Sequence, residues 1–284
     1  MICDFHVHST VSDGTLDPAE LVLAASKERV DCFALTDHDS VDGVAPARRR
    51  GAELGIEVMA GVEISVCEDD GAIQMHILGL AVDPESAPLL EGLRSIRDAR
   101  LTRVDAMLEK LAAAGAPVDR SALGDGDKAI GRPHVAAALV AAGHCRDEND
   151  AFARYLRRGR SAYMASPGIA AVEAFRLIHA AGGIAALAHP PLSVGADGEG
   201  GLDSFVARLA PLGLDGLEVQ HPSLQPKTRR RLRKLARKHA LISTGGSDYH
   251  GARKRGISLG RGRGNISVGR ETYDAICERA AAYR

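Results

Sequence analysis

The 284-residue chain is long enough for one large domain or for a core carrying an inserted module. Its 45% hydrophobic and 26% charged residues are the balance of a globular protein, which argues against a disordered or fibrous chain. With 36 basic against 37 acidic residues the net charge is −1, which argues against a general nucleic-acid coat or a binder of anionic membranes and leaves room only for a local basic patch. No apolar run reaches transmembrane length, and Met1-Ile2-Cys3-Asp4 carries neither the basic nor the apolar segment of a secretory leader. Cys3, Cys32, Cys67, Cys145 and Cys277 are odd in number and widely spaced, with no Cys-x-x-Cys, so a reducing cytoplasm is expected rather than a disulfide framework. Without Trp, and with five Tyr and five Phe, the chain has few stacking platforms for single-stranded nucleic acid.

In chain order, the first predicted strand covers residues 2–7 and is followed by the best-signalled helix. Asp17 is its N-cap, Pro18 its first residue and Glu20 the return arm of a capping box, with Leu21, Ala24 and Ala25 on the apolar face. Strands follow at 31–35, 57–62 and 75–80. From 84 to 167 the rhythm breaks into Ala- and Arg-rich helical patterns at 89–114, 132–142 and 148–158, read as a helical insertion. Strands resume at 184–188, 216–219 and 241–244, with a helix at 225–239 whose Leu232, Leu235 and Ala236 form one stripe. Alternating strands and helices predict a largely parallel α/β fold, open or closed into a barrel. Without the insertion about 200 residues remain, small for eight strands, so seven suit better.

Metal-capable side chains collect at the predicted strand ends, where barrels of this kind carry their sites. Asp4-Phe5-His6-Val7-His8 and Ser12-Asp13-Gly14 follow the first strand, Thr36-Asp37-His38-Asp39 the second, and Glu63 the third. His76 opens the fourth, while His189, His221 and Ser247-Asp248-Tyr249-His250 follow the fifth, sixth and seventh. His6 and His8 share one face of a strand because side chains there repeat with period two. A lone histidine in apolar surroundings is usually a satisfied core residue. Convergence of seven strands on one rim points instead to a multinuclear centre. Nine nitrogen and oxygen donors without a thiolate (His6, His8, Asp13, His38, Glu63, His76, His189, Asp248, His250) suit Mn²⁺, Zn²⁺ or Fe²⁺. They are too many for one ion and enough for two or three.

These motifs, together with Gly61-Val62-Glu63-Ile64-Ser65, Ala188-His189-Pro190 and Gly246-Ser247-Asp248-Tyr249-His250, resemble the polymerase and histidinol phosphatase (PHP) family of the amidohydrolase superfamily. The resemblance covers nearly the whole chain and implies a distorted seven-stranded (β/α)7 barrel with an inserted helical subdomain. The metal-binding barrel would comprise 1–83 and 168–284, and the insertion 84–167. It further implies phosphoester hydrolysis, the closest branch being the small nucleotide phosphoesterases: 3′,5′-nucleoside bisphosphate phosphatases and a 5′-to-3′ exoribonuclease. Carried over by position, one ion would take His6, His8, Glu63 and Asp248, a second Glu63, His76 and His189, and a third Asp13, His38 and His250. Asp4 and Asp37 would accept hydrogen bonds that orient ligand imidazoles. Arg132, His134, His221 and Lys227 would face the substrate phosphate, with Arg132, His134, His221 and Asp248 in catalytic roles. One departure is His189-Pro190-Pro191-Leu192, where relatives often read His-Pro-Gly-Arg, so an arginine for phosphate is missing there.

The expected chemistry is attack on phosphorus by a hydroxide held between metals, Mn²⁺ first among them. Arg132 would fork two phosphate oxygens, or be a surface residue of its helix. His134 and His221 would protonate the leaving group or bind phosphate, or be surface histidines. Apart from Lys227, nearest the rim, the basic run from Lys227 to Lys238 reads more readily as a solvated helix face than as a nucleic-acid surface, while Arg253-Lys254-Arg255 falls where it would line the mouth of the site. The substrate expected is a small nucleotide ester, a nucleoside 3′,5′-bisphosphate or a cyclic phosphate. The alternatives are a 5′-to-3′ exonuclease on short RNA or DNA ends and a non-catalytic module with a relict site. No membrane partner is expected.

Overall fold

The capping signature at Asp17 folds as its residues dictate. The carboxylate accepts from the Ala19 and Glu20 N–H groups at 2.8 Å each, and Glu20 accepts in return from the Asp17 N–H at 3.0 Å. The computed structural model describes residues 1–68, 73–123, 130–165, 168–193 and 198–284. The elements begin β1 (Cys3–Val7), α1 (Pro18–Lys27), β2 (Cys32–Leu35), α2 (Val44–Leu54), β3 (Glu57–Glu68) and β4 (Ile73–Leu80). Then come α3 (Ala87–Ala113), α4 (Arg132–Ala141), α5 (Glu148–Ala151, continued by a π-turn over Phe152–Leu156) and α6 (Ala171–Ala180). The chain ends with β5 (Ile184–Leu187), α7 (Pro190–Ser193), α8 (Gly198–Leu209), β6 (Gly216–Gln220), α9 (Pro226–Lys238), β7 (Ile242–Gly245) and α10 (Arg270–Ala280). No helix among the described residues is long and apolar enough to cross a membrane.

The seven strands form one curled sheet in the order β1 to β7. Its two edges meet at a single bridge, Val7 to Tyr249, and at the His8 N–H, which donates to the Tyr249 carbonyl at 3.0 Å. The barrel is therefore distorted, with no continuous ladder between first and last strands. All pairings are parallel except those of β4, which runs antiparallel to both β3 and β5. The sequence expectation stopped the third strand at 62 and so hid this reversal. In the structure β3 continues to Glu68 and β4 begins at Ile73, leaving a connection far shorter than the dozen or more residues a parallel crossover needs. The reversal has a functional consequence: the N-terminal part of β4, carrying His76, lies at the rim where the other strands end.

Strand alternation divides the apolar residues into layers. Cys3, Phe5, Cys32, Ala34, Met59, Leu78, Leu80 and Ala186 fill the barrel interior, which α10 covers through Ile276 and Ala280. Phe33 and Leu35 face outward under α1 and α2, while Val62, Ile64, Leu217 and Val219 face outward under α3, α6 and α9. A bulge in β1 joins core to site. Asp4 pairs with Phe33 and Val7 with Leu35, three steps on one strand against two on the other. The extra residue lets Phe5 point into the interior core while His6, next in sequence, points into the site above it. Between β4 and β5 the described chain is helical. Leu89, Leu93 and Ile96 in the first half of α3 join the outer core of the barrel, whereas Val104, Met107 and Leu111 in its second half build a separate cluster with Val135 and Leu139 of α4 and Leu156.

Candidate metal centre

The rim is held together by close backbone approach. A Cβ at Gly246 would lie 2.4 Å from both the Cβ and the N of His6, so glycine is needed where the end of β7 meets β1. Asp39, His189 and Asp248 all sit at positive φ (49°, 31° and 52°), a conformation that costs side-chain-bearing residues on the order of 1–3 kcal/mol each. Such strain gathers at sites where surrounding structure fixes the geometry, and all three residues lie at the same end of the barrel.

Glu63 is the centre of the cluster and is fully buried. Its Oε2 lies 3.2 Å from His6 Nε2, 3.1 Å from His8 Nε2 and 3.2 Å from His38 Nδ1. Its Oε1 lies 2.9 Å from His76 Nδ1 and 3.1 Å from His189 Nε2. Asp248 Oδ1 approaches His6 Nε2 and His8 Nε2 at 3.6 and 3.5 Å, and Asp13 Oδ1 is 3.2 Å from His250 Nε2 and 3.9 Å from His38 Nε2. Four groups with donor atoms mutually within 4.8 Å result: His8-Asp13-His38-His250, His6-His8-Asp248, His6-Glu63-His189 and His38-Glu63-His76. All nine sequence-predicted ligands are in them. His6 Nε2, His8 Nε2, Asp13 Oδ1, His38 Nδ1 and His76 Nδ1 are buried without a hydrogen-bond partner. Buried polar atoms are rarely left so. Four orphaned nitrogens around Glu63 and one orphaned oxygen, Asp13 Oδ1, beside His250 and His38 fit several divalent ions.

Ligand orientation comes from behind. Buried Glu218 accepts from His6 Nδ1 at 2.9 Å and from the His189 N–H at 2.7 Å, and the Asp248 carbonyl accepts from His250 Nδ1 at 2.9 Å. The two ring bonds, at His6 and His250, leave the opposite ring nitrogen for the centre, and the third fixes the backbone of His189. Asp248 Oδ2 is held by His221 Nε2 at 3.2 Å and by the Lys254 ammonium, which frees Oδ1. The charges are interdependent. Burial alone would raise the pKa of Glu63, Asp13 and Asp248, but the facing histidines, and Lys254 for Asp248, hold all three well below the carboxylate range. Burial lowers His38 well below the histidine range, whereas Glu63, Glu218 and Asp248 outweigh burial at His6 and push it well above.

Several expected roles change. Asp4 accepts from the N–H groups of Ser247 and Gly260 at 2.7 Å and from the Ser247 hydroxyl at 2.6 Å. Asp37 accepts from Ser9 and Ser12. Both brace the loops that carry ligands and neither bonds an imidazole; burial pushes Asp4 up to about 6. Glu218, in the middle of β6, performs the orienting role and went unnoticed in the sequence. Its signal is the period-two pattern that puts it inward between outward Leu217 and Val219. His134 spends both ring nitrogens on the backbone, accepting from the Gly131 N–H at 3.1 Å and donating to the Ser12 carbonyl at 3.0 Å. It is thus a strut between α4 and the Asp13 loop, and it lines the same small cavity as Arg132. Lys227 is exposed on the first turn of α9 and lines none of the cavities at the centre.

Arg132 does reach the site. It lines a cavity of about 160 Å³ beside Asp13, His38 and His76, together with Arg100 and Arg103. Arg100 Nε lies 2.6 Å from Asp39 Oδ2, while Arg103 donates twice to the Met164 carbonyl. These two arginines belong to α3 and were not foreseen. On the opposite, Asp248 side opens a cavity of about 800 Å³ lined by His221, Arg253 and Lys254 among others. His221 therefore stands in the wall of the larger cavity as the holder of Asp248.

Comparison with known proteins agrees with this geometry. Residues 4–117 match the PHP domain model. The chain is 36% identical over 250 residues to a 5′-3′ exoribonuclease of Haemophilus influenzae, covering 87% of this chain and 89% of that one. It is 34% identical over 260 residues to a 3′,5′-nucleoside bisphosphate phosphatase of Chromobacterium violaceum, covering 90% of each. A solved structure from Bifidobacterium adolescentis, described as a metal-dependent phosphoesterase, superimposes with a TM-score of 0.85 at 33% identity over 98% of this chain and 96% of that one.

Proposed function

The chain belongs to the PHP domain family and is a hydrolase of phosphoric ester bonds, and from that premise we propose that its substrate is the phosphate ester of a small nucleotide, such as a nucleoside 3′,5′-bisphosphate or a cyclic phosphate. The observation that carries this reading is the pair of unequal cavities beside the ligand cluster. The one of about 160 Å³, walled by Arg100, Arg103 and Arg132, has room for a phosphate group and little more. The one of about 800 Å³ lies within the range of pockets that enclose a whole small ligand, and so suits a nucleoside. Two or three divalent ions held by the nine ligands, Mn²⁺ first among them, would supply a water of lowered pKa and neutralise phosphate charge. The protein's own part is placement. Arg132 presents a planar fork to a phosphate, Glu218 and the Asp248 carbonyl fix which nitrogens face the centre, and Lys254 and His221 fix the carboxylate of Asp248.

The 5′-to-3′ exonuclease on short RNA or DNA ends is the second reading, favoured by the open larger cavity, whose lining includes Arg253, Lys254, Arg255 and Arg263 alongside Asp147 and Glu148. A relict, non-catalytic site is out of keeping with a full set of nine ligands. The deciding assay follows product formation by Mn²⁺-loaded protein: inorganic phosphate from a nucleoside 3′,5′-bisphosphate, a simple sugar phosphate and histidinol phosphate, the ring-opened monoester from a cyclic nucleotide, and mononucleotides from a short 5′-phosphorylated RNA. Selective release from one small nucleotide is the expected result. Conversion of the RNA alone to mononucleotides moves the assignment to the exonuclease. Glu63→Gln should lower turnover by about a thousandfold, roughly 4 kcal/mol of barrier, with an unchanged circular dichroism spectrum; near wild-type release from that variant would overturn the reading.

A further inference from the structure

The ligands of the cluster are not equally held. The ring of His6 is fixed from behind by Glu218, and that of His250 by the Asp248 carbonyl. His38 has no such partner among the described residues. Its Nδ1 lies 3.2 Å from Glu63 Oε2 and its Nε2 lies 3.9 Å from Asp13 Oδ1, so both ring nitrogens face acids of the cluster. The same residue belongs to two of the four candidate groups, His8-Asp13-His38-His250 and His38-Glu63-His76. A ligand ring without an orienting hydrogen bond takes its direction from its backbone.

That backbone is set by the residues around it. The Glu63 N–H donates to the Asp37 carbonyl at 3.1 Å and the Asp39 N–H donates to the Glu63 carbonyl at 3.0 Å, which lays residues 37–39 beside β3. At Asp39 the chain turns away in the left-handed conformation, with φ of 49°. The side chain that secures this turn is wholly buried. Asp39 Oδ1 accepts from the Ser65 N–H at 2.7 Å, and Oδ2 lies 2.6 Å from Arg100 Nε. Arg100 also donates through Nη2 to the Ser65 hydroxyl, so one guanidinium spans the turn and β3. One turn earlier on α3, Arg97 donates to the Asp39 carbonyl at 2.9 Å. The two arginines are three residues apart and therefore share a helix face. A Cβ at Gly131 would lie 3.1 Å from Arg100 Nη1, so the start of α4 closes over the same guanidinium. Asp39 is thus gripped at its carboxylate and its carbonyl by a helix whose nearer arginine lies 58 residues along the chain.

We propose that Asp39 is a positioning residue for His38: it supplies through the backbone the orientation that the ring lacks, and Arg97 and Arg100 of α3 hold it in place. The inference rests on the reading of the cluster as a metal centre and names the part of that centre which α3 controls. Only the two groups that contain His38 depend on this device; His6-His8-Asp248 and His6-Glu63-His189 do not.

The test is Mn²⁺ uptake by the whole chain, measured by equilibrium dialysis and elemental analysis over a range of free Mn²⁺, for the wild type, Asp39→Asn and Arg97→Ala. Asparagine tolerates the left-handed backbone and keeps an acceptor for the Ser65 N–H. Arg97→Ala removes only a half-buried side chain that lines none of the cavities at the centre, so it carries the test should Asp39→Asn fail to fold. Arg100 is left in place because it walls the small cavity. The expected result is selective: one ion per chain weakened about ten- to a hundredfold, and the remaining uptake within about twofold of the wild type. Circular dichroism should be unchanged. Uptake that matches the wild type in the folded variants, or equal weakening of every ion, overturns the proposal. Phosphate release measured in parallel keeps the readings apart. A wild type that loads ions and cleaves nothing loses the function reading and keeps the role of Asp39, whereas a wild type that takes up no Mn²⁺ overturns both.

Discussion

Glu218 places two metal-facing residues at once, through the ring of His6 and the backbone of His189, from a position with no solvent exposure. Its carboxylate raises the basicity of the His6 ring and fixes which nitrogen faces Glu63. Glu218→Gln keeps the shape and removes the charge, so metal affinity should fall about 10–100-fold. Competition against a chromophoric chelator measures this, and unchanged affinity would mean that Glu218 only fills space. The clustering of His6, His8 and His38 was legible in the sequence because dense histidine and aspartate motifs at strand ends have few other uses. Glu218 was not, because one acid in a short strand looks like a solvent-facing charge until the sheet closes over it. The surroundings of His134 and Lys227 were not legible for a related reason. A sequence places a residue on a helix, but the direction in which that helix turn faces is set by packing, here against the Ser12 carbonyl for His134 and toward solvent for Lys227.

At the scale of elements, the strands and the Asp17-capped helix follow from period and capping, whereas the β1 bulge and the reversed β4 do not. A bulge changes only which face a residue takes. Strand direction depends on connection length, which a six-residue error at the end of β3 concealed. The C-terminal helix α10 was likewise missed, and its attachment depends on Asp215, just before β6. That carboxylate accepts from His179 Nε2 at 2.8 Å, the Ala185 N–H at 3.0 Å, the Tyr283 hydroxyl at 2.9 Å and Arg279 at 3.1 Å. Burial pushes its pKa up, but these donors stabilise the ionised form and bring it below the ordinary value. A depressed folded value means that the stabilisation is complete above the unfolded pKa of about 3.9 and is lost as the pH falls through the folded value. Asp215→Asn should therefore cost about 1–3 kcal/mol at pH 7, with the gap narrowing below about pH 4. Urea unfolding of both proteins at pH 7 and pH 3 tests this; an equal gap at the two values would show that the charge contributes nothing.

Across the whole molecule, the interior is divided along the barrel axis into an apolar lower half, around Phe5, Met59, Leu78 and Leu80, and an upper half of histidines and carboxylates. The upper half draws its groups from β1, β3 and β4 and from the segments after β1, β2, β5 and β7, so nearly every strand end contributes to one charged cluster. Without ions, Glu63 and Asp13 are balanced by imidazoles that must hold protons while buried, Asp248 by such imidazoles and the Lys254 ammonium, and the orphaned nitrogens of His6, His8, His38 and His76 add an unmet desolvation cost. Divalent ions would meet both demands, and because the unfolded chain scatters these ligands, binding free energy becomes folding free energy. At a free metal concentration one hundred times the dissociation constant, each site adds about 2.7 kcal/mol. Domains of comparable size gain about 2–4 °C per kcal/mol, so the melting temperature should rise by about 5–10 °C per ion when Mn²⁺ replaces chelator. Scanning calorimetry at matched ionic strength measures this. Glu63→Gln, which touches all the overlapping groups through one residue, should remove most of the rise. A wild-type melting temperature indifferent to saturating Mn²⁺ would mean that the cluster does not hold these ions in the folded protein, and the functional reading built on it would have to be given up.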